Sequence, residues 1–161
     1  MENNKSSFKL IGVKDLSSDL VINYKIDDPD LIAPEKIEIG DWIDLRADRR
    51  YELKNNEAAL ISLGIAMKIP DGYEAILAPR SSTYKHWGLT MTDSFGVMDN
   101  SFSGNNDIWL FPALAHKDTV IEKNDRICQF RIQKKMPKVI LNRVTNLDGE
   151  DRGGIGTTGT N

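Results

Sequence analysis

The sequence predicts an all-β fold, either a β-sandwich or a jelly roll. Short runs with β-forming composition recur along the chain, and residues that favour turns separate them. No stretch sustains an apolar period of 3.6 residues for long enough to predict a long helix. With 161 residues and 40% hydrophobic content the chain can build one core, whereas two domains would each be too small. We therefore expect a single β-rich domain.

The predicted strands follow one another at similar spacing. They span residues 8–13, 20–26, 42–47, 60–69, 73–78, 107–114, 126–133 and 139–144. Turn signals containing glycine, asparagine or aspartate stand at residues 40–41, 70–72, 123–125 and 147–149. Segment 15–36 carries no motif and is either a subunit contact or an insertion.

The first candidate binding segment, residues 79–82, places a guanidinium beside two hydroxyls at the end of predicted strand 73–78. Residues 82–86 are consistent with a helical turn, and Ser82 is a suitable N-cap residue. Free N–H groups at a helix start attract anions, so Arg80, Ser81 and Ser82 can bind phosphate. The alternative is an ordinary turn and helix cap.

The second candidate segment, residues 151–159, has four glycines, two threonines and an arginine. Glycine lets backbone N–H groups approach an anion closely, threonine adds donors, and arginine binds phosphate oxygens with two N–H groups. The alternative is a frayed terminus, which is common for such a composition. It is not a Walker loop, because no lysine follows the glycines.

A third segment, residues 94–104, lies between these two. Extended stretches flank an Asp-Asn turn signal, which predicts a hairpin with Asp99 near its bend. A single aspartate in a turn is usually structural. An adjacent strand could nevertheless bring Asp99 beside the serines of residues 81–82.

Five segments in this order resemble the motifs of the trimeric dUTPases, the deoxyuridine triphosphate nucleotidohydrolases. They are residues 40–47, 79–82, 96–99, 125–130 and 151–159, and residues 40–46 and 125–131 are most similar to the Bacillus and phage branch. The resemblance implies a dUTPase-like β-sandwich or jelly roll of the β-clip type. That domain would span residues 1–147, with a flexible glycine-rich C-terminal arm at residues 148–161.

The reaction implied by the resemblance is Mg²⁺-assisted attack of water on the α-phosphorus of dUTP. It releases dUMP and pyrophosphate, lowers the dUTP level and supplies dUMP for thymidylate synthesis. Asp99 matches the family's general base, and Asp44 matches the aspartate that contacts water bound to Mg²⁺. Ser81 should lie near the oxygen that bridges the α and β phosphates, where a donor stabilises the leaving group.

The resemblance also assigns the substrate contacts. The phosphate contacts would be Arg80, Ser81, Ser82 and Gln129, joined by Arg152, Gly154, Gly156, Thr157 and Thr158 of the tail. Backbone groups of the hairpin, including Gly96, Val97, Met98 and Asp99, would contact uracil, and Phe102 would lie under the deoxyribose.

Strand parity supports the assignment of Gln129. Successive side chains of a strand face opposite ways, so Cys128, Phe130 and Ile132 should share a buried face. Gln129 and Arg131 should then face outward together with Ile127.

Three positions depart from the usual pattern of the family, and one of them, Asp93, stands where some relatives have asparagine and has no assigned role. Phe102 replaces a tyrosine, which keeps the ring and removes a hydroxyl. Ile155 replaces a phenylalanine that stacks on uracil, and isoleucine has no π face. Trp87, Trp109 and Phe111 are candidates to supply the aromatic contact, or they are ordinary core residues.

Composition and charge argue against several classes of protein. A net charge of −3 argues against a nucleic-acid partner. The single cysteine, Cys128, cannot form an intrachain disulfide, which favours a reducing compartment, and we expect it to be buried. No apolar run has the length of a signal peptide or of a membrane span, so we expect a cytoplasmic protein without membrane contact. His86 has no expected catalytic role, and His116 has no obvious partner.

The resemblance further implies a homotrimer with active sites at the subunit interfaces. Two alternatives stay open. One is a relative of dCTP deaminase, an enzyme of related fold that also carries an Arg-Ser-Ser segment. The other is a nucleotide-gated regulatory binding protein of phage type, whose regulatory protein partner would contact segment 15–36.

Overall fold

The computed structural model describes residues 19–151 together with Gly153 and Gly154, and nearly all of its regular structure is β. Within these residues eleven short strands and one short helix follow one another. They are β1 (Asn23–Lys25), β2 (Ile43–Arg46), β3 (Tyr51–Leu53), β4 (Ala58–Ser62), β5 (Ala66–Lys68), β6 (Tyr73–Pro79), α1 (Thr83–Trp87), β7 (Leu89–Met91), β8 (Gly96–Met98), β9 (Leu110–Ala115), β10 (Thr119–Ile121) and β11 (Arg126–Lys134).

The strands form open antiparallel sheets that share one core. The largest sheet has the order β2-β11-β6-β8, and a second has the order β4-β9-β7. Two-stranded pairs, β1-β5 and β10-β3, complete the described part of the fold. Leu77 and Phe130 of the first sheet and Ile61 and Phe111 of the second belong to one buried cluster. This arrangement confirms the prediction of an all-β, jelly-roll-like fold.

The side-chain pattern of β11 confirms most of the parity argument. Cys128 and Phe130 are buried, Gln129 is half-buried and Arg131 is exposed. The prediction for Ile127 is wrong, because this side chain is fully buried as well. The pairing of β11 with β2 shifts register between Arg126 and Cys128. Such a bulge lets two consecutive side chains point inward.

The strand predictions failed at several places. Predicted strand 60–69 is two strands, β4 and β5, because the chain bends between them at Gly64, whose φ is 62°. Segment 139–144 is irregular rather than a strand, and β3, β7 and β10 were missed. The segment 94–104 is not a self-contained hairpin, since its one strand, β8, pairs with β6. Predicted strand 8–13 lies outside the described residues.

Substitution of Gly64 tests whether this bend depends on glycine. A Cβ at this position would lie 2.7 Å from Leu31 Cδ2 and 2.8 Å from Asp48 Cβ. Gly72 is a matched control, because it also has positive φ, 83°, but a Cβ there would meet nothing within 4 Å.

We expect Gly64→Ala to destabilise the protein more than Gly72→Ala does. The left-handed backbone alone costs an alanine about 1–2 kcal/mol, which both variants carry. The crowding at residue 64 should add about 1–3 kcal/mol. Urea unfolding at one protein concentration measures the difference, and equal losses would show that the neighbours of Gly64 accept the extra carbon.

Candidate active site

A cluster of three charged side chains joins strands β2, β6 and β11 at one end of the main sheet. The Asp44 carboxylate of β2 forms an ion pair with Arg80, whose Nε lies 2.9 Å from Asp44 Oδ1, and it accepts a hydrogen bond from Arg126 Nη1 at 3.2 Å. Arg80 Nη1 also donates to the Arg126 carbonyl oxygen at 3.1 Å. Asp44 lies opposite Gln129 of β11, which lies opposite Ala78 of β6, so strand register brings these groups together.

This cluster lines a cleft of about 250 Å³. Ser81, Gln129 and Arg46 line it as well, and Gln129 Nε2 donates to the Pro79 carbonyl oxygen at 3.2 Å. The cleft therefore gathers the predicted phosphate contacts Arg80, Ser81 and Gln129 beside Asp44.

The cleft is also lined by segment 33–41, which we call the strap. Residues 40–41 belong to the first of the five motif segments and residues 33–36 to the region for which the sequence indicated no role, so the strap joins the two. Its residues in the cleft lining are Ala33, Pro34, Glu35, Ile37, Ile39, Gly40 and Asp41, and Trp42 follows directly. The Trp42 ring lies 5.8 Å below the Arg131 guanidinium carbon.

Thr83 holds the turn that carries Arg80 and Ser81. Its hydroxyl accepts from the Arg80 N–H at 3.0 Å and donates to the Ile127 carbonyl oxygen at 2.8 Å, and the residue is fully buried. The sequence prediction assigned the cap to Ser82, whose side chain makes no cap hydrogen bond. Hydroxyl residues often bond the backbone of the preceding turn, so the residue type at position 83 was a usable signal.

Asp99 lies outside this cleft, directly after β8. Its Oδ1 atom accepts from the Ser101 hydroxyl and from the Ser101 N–H. These hydrogen bonds, the hydroxyl first and the backbone N–H second, lower the pKa of the Asp99 carboxyl below its ordinary value. The turn continues to Phe102, whose N–H donates to the Asp99 carbonyl oxygen at 3.2 Å.

Strand pairing separates Asp99 from Arg80 within one chain. Met98 of β8 is opposite Ala75 of β6, which places Asp99 near the start of β6, whereas Arg80 follows its end. Six residues of extended chain span about 20 Å. The structure therefore brings Asp44, Arg80, Ser81 and Gln129 together, and it places the segment Gly96, Val97, Met98, Asp99 and Phe102 elsewhere in the same chain.

The predicted tail contacts lie mostly outside the described residues. This applies to Arg152, Gly156, Thr157 and Thr158, and also to Ile155. Gly154 is described and exposed. Their roles in binding stay predictions.

The other side chains that the sequence singled out are buried, half-buried or bonded to a neighbouring side chain. Trp109 and Phe111 are fully buried in the core, whereas Trp87 is half-buried. Cys128 is buried as expected, and burial raises the pKa of its thiol. The expectation that His116 has no partner is wrong, because its Nε2 atom lies 2.9 Å from the Thr90 hydroxyl.

A metal ion here would be held mainly by a ligand's phosphates. Among the described residues, no three histidine, cysteine, aspartate or glutamate side chains are grouped so that they could hold one. Both Asp44 carboxylate oxygens are already paired with guanidinium groups, Oδ1 with Arg80 and Oδ2 with Arg126. Because Mg²⁺ keeps several of its waters, Asp44 fits a contact through water better than a direct bond. In the described part of the chain, no helix has the length and apolar character needed to cross a membrane.

Comparison with known proteins identifies the family. The family model described as dUTPase matches residues 42–160, which include all the cleft residues except the strap. A prophage-derived deoxyuridine 5'-triphosphate nucleotidohydrolase of Bacillus subtilis is 58% identical over 125 residues, covering 78% of this chain and 88% of that protein. One of Hydrogenobaculum is 37% identical over 105 residues, covering 64% of this chain and 72% of the relative. The chain belongs to the dUTPase family, and its similarity to the prophage protein confirms the predicted Bacillus and phage branch.

Solved structures confirm the fold. A Staphylococcus bacteriophage 80alpha dUTPase with dUpNHpp has a TM-score of 0.74 at 18% identity, covering 87% of this chain and 99% of that one. A phage phi11 dUTPase, whose structure describes a structural Mg(II) ion, has a TM-score of 0.69 at 16% identity. The match covers 80% of this chain and 99% of that one.

Thr83→Val tests whether the buried hydroxyl supports the Arg80 turn. Valine keeps the volume but leaves the Arg80 N–H and the Ile127 carbonyl without this partner, which should cost about 2–4 kcal/mol in the free energy of unfolding. Thr83→Ser keeps the hydroxyl and loses one methyl group, so about 1 kcal/mol is expected. Chemical denaturation ranks the two variants, and a serine variant as unstable as the valine variant would contradict the role of the hydroxyl.

Proposed function

We propose that this protein hydrolyses dUTP to dUMP and pyrophosphate, lowering dUTP and supplying dUMP for thymidylate synthesis. The observation that carries the proposal is the cleft in which Arg80, Ser81 and Gln129 surround Asp44. These residues come from three of the five segments that resemble the family's motifs. The 58% identity to a relative named for dUTP hydrolysis supports the same conclusion.

The cleft is suited to hold phosphates in a fixed geometry. The Arg80 guanidinium is held by Asp44 through Nε and by the Arg126 carbonyl oxygen through Nη1. A donor that is already oriented loses little conformational freedom when it binds an anion. Arg80, Ser81, Ser82 and Gln129 would contact the triphosphate, and Ser81 would donate to the oxygen that leaves with pyrophosphate.

Asp99 would act as the general base. It accepts a proton from water while the water oxygen bonds to the α-phosphorus and the bond to the bridging oxygen breaks. The hydrogen bonds from Ser101 lower the pKa of Asp99, so the carboxylate stays ionised at neutral pH and below. Backbone groups of Gly96, Val97 and Met98 would contact uracil, and Phe102 would exclude a ribose.

The active site would be assembled from different subunits of a homotrimer. Asp99 and Arg80 lie about 20 Å apart along β6 in one chain, too far to act on one triphosphate. Segment 136–147 also exposes large apolar side chains that a second chain would cover, namely Met136, Val139, Ile140, Leu141, Val144 and Leu147. Arg152, Gly154, Gly156, Thr157 and Thr158 would close over the phosphates as part of an arm at residues 148–161.

Mg²⁺ is the expected cofactor. When bound, it neutralises charge on the phosphates, and Asp44 would hold one of its waters. A cytoplasmic location and a regulatory protein partner stay predictions. The partner's expected contact, segment 15–36, includes the first part of the strap, so such a partner would reach the cleft directly.

Pyrophosphate release from dUTP with Mg²⁺ tests the reaction, with dCTP, dTTP and UTP as controls. We expect turnover of dUTP alone, and a loss of at least about a hundredfold in Asp99→Asn because the base is removed. Binding of dUpNHpp should persist in this variant.

The alternatives give different results in the same assay. Release of ammonia from dCTP would indicate a deaminase. Wild-type protein that binds dUTP and leaves it intact would indicate a nucleotide-gated binding protein, and Asp99 would lose its assigned role.

Mixing two inactive variants tests the shared site. Asp99→Asn lacks the base and Arg80→Ala lacks the phosphate contact, so each alone should have little activity. After joint refolding, random trimers should contain intact sites at about one quarter of the interfaces, because each site needs the right residue from two chains. Activity near one quarter of wild type would support the arrangement. Activity equal to the mean of the two variants would contradict it, and separately refolded proteins mixed just before the assay provide the baseline.

A further inference from the structure

Asn124 occupies the turn between β10 and β11 in an unusual backbone conformation. Its φ is 73°, in the left-handed region that asparagine tolerates better than most residues. Its side-chain Oδ1 accepts from the Ile32 N–H at 2.8 Å, and its Nδ2 donates to the Asp30 carbonyl oxygen at 3.0 Å. One side chain thus binds two backbone groups of the segment that the motifs left unexplained.

The same loop is anchored at two further points. Lys123 Nζ lies 2.8 Å from Asp28 Oδ2. Leu31, between the two residues that Asn124 binds, is buried and packs beside Gly64. The chain is therefore fixed up to Ile32, and the strap begins at the next residue. Within the strap, Lys36 Nζ donates to the Gly40 carbonyl oxygen at 3.0 Å.

The backbone of Asn124 binds the last residue of β2 and the residue that follows it. Its N–H donates to the Ala47 carbonyl oxygen at 2.9 Å, and its carbonyl oxygen accepts from Arg46 Nη1 at 2.7 Å. Arg46 lines the cleft together with Arg80 and Arg126. Asn124 therefore connects the chain just before the strap to Arg46, one of the three guanidinium groups that line the cleft.

We propose that Asn124 is a positioning residue for the phosphate cleft, which sets the distance between the strap and Arg46. This inference rests on the proposed function, because it assumes that the cleft receives the triphosphate. Asparagine suits the position because it combines a left-handed backbone with one donor and one acceptor on a short side chain. Glycine would keep the conformation and lose both side-chain bonds.

Asn124→Gly is the main test, with Asn56→Gly as the matched control. Asn56 also has a positive φ, 63°, but it is exposed in the turn between β3 and β4 and does not line the cleft. Asn124→Asp is a second variant, because it keeps the acceptor for Ile32 and loses the donor to Asp30. The measurements are dUpNHpp affinity by calorimetry, KM and kcat for dUTP, and hydrogen exchange of the Ile32 amide.

For Asn124→Gly we expect about tenfold weaker dUpNHpp binding and a KM raised by about the same factor, since the two hydrogen bonds that fix the chain just before the strap are lost. The kcat should change less than twofold, because Asp99 and Ser81 are untouched. The Ile32 amide should exchange faster in Asn124→Gly and keep its protection in Asn56→Gly. Asn124→Asp should fall between wild type and the glycine variant.

Two results would overturn the proposal. One is equal affinity and equal KM in Asn124→Gly and Asn56→Gly. The other is a fall in kcat and thermal stability of Asn124→Gly and Asn124→Asp with unchanged affinity, which would mark Asn124 as purely structural. A wild type that binds dUpNHpp without hydrolysing dUTP would refute the proposed function alone, since affinity and amide exchange would still decide the role of Asn124.

Discussion

The ion pairs of Asp44 are the interaction on which the cleft depends. One carboxylate pairs with Arg80, which follows β6, and with Arg126, which begins β11. Both the Asp44 and Arg80 side chains are 23% exposed, so water screens their charges only in part. Loss of the carboxylate would leave two guanidinium groups close together, which is costly where solvent is limited. The Arg80 and Arg126 guanidinium groups are therefore held in place in the cleft by the negative charge of Asp44.

Antiparallel pairing imposes the second constraint on the molecule. It places Gln129 beside both Asp44 and the end of β6, which brings these groups together in the cleft. The same rule directs β8 back toward the start of β6 and carries Asp99 away from them. A sheet of this order holds groups at the two ends of β6 about 20 Å apart. Strand direction therefore keeps Asp99 away from Arg80 and Ser81 within one chain.

The sequence predicted those elements whose pattern is local. β6 and β11 were located to within a residue or so, because alternating side chains and clear turn signals bound them. Alternation alone could not predict the bulge that buries Ile127, since a bulge depends on the neighbouring strand. Segment 139–144 has a β-like pattern and is irregular, because a strand also needs a partner, and the described part of the chain supplies none there. Thr83 and Asn124 were missed because their partners, Ile127 and Ile32, are far away in sequence.

Cys128 gives the cleft a built-in chemical probe. Its thiol is fully buried on β11, opposite Leu45 of β2 and Pro79 of β6, and burial raises the pKa of the thiol, so it stays protonated at neutral pH. Only the thiolate reacts readily with alkylating reagents, so modification requires β11 to part from its neighbours and admit water. The labelling rate of Cys128 therefore measures how often β11 separates from the neighbouring strands at this position. Ligands that hold the arginines together should lower the labelling rate of Cys128, and no engineered label is needed to measure it.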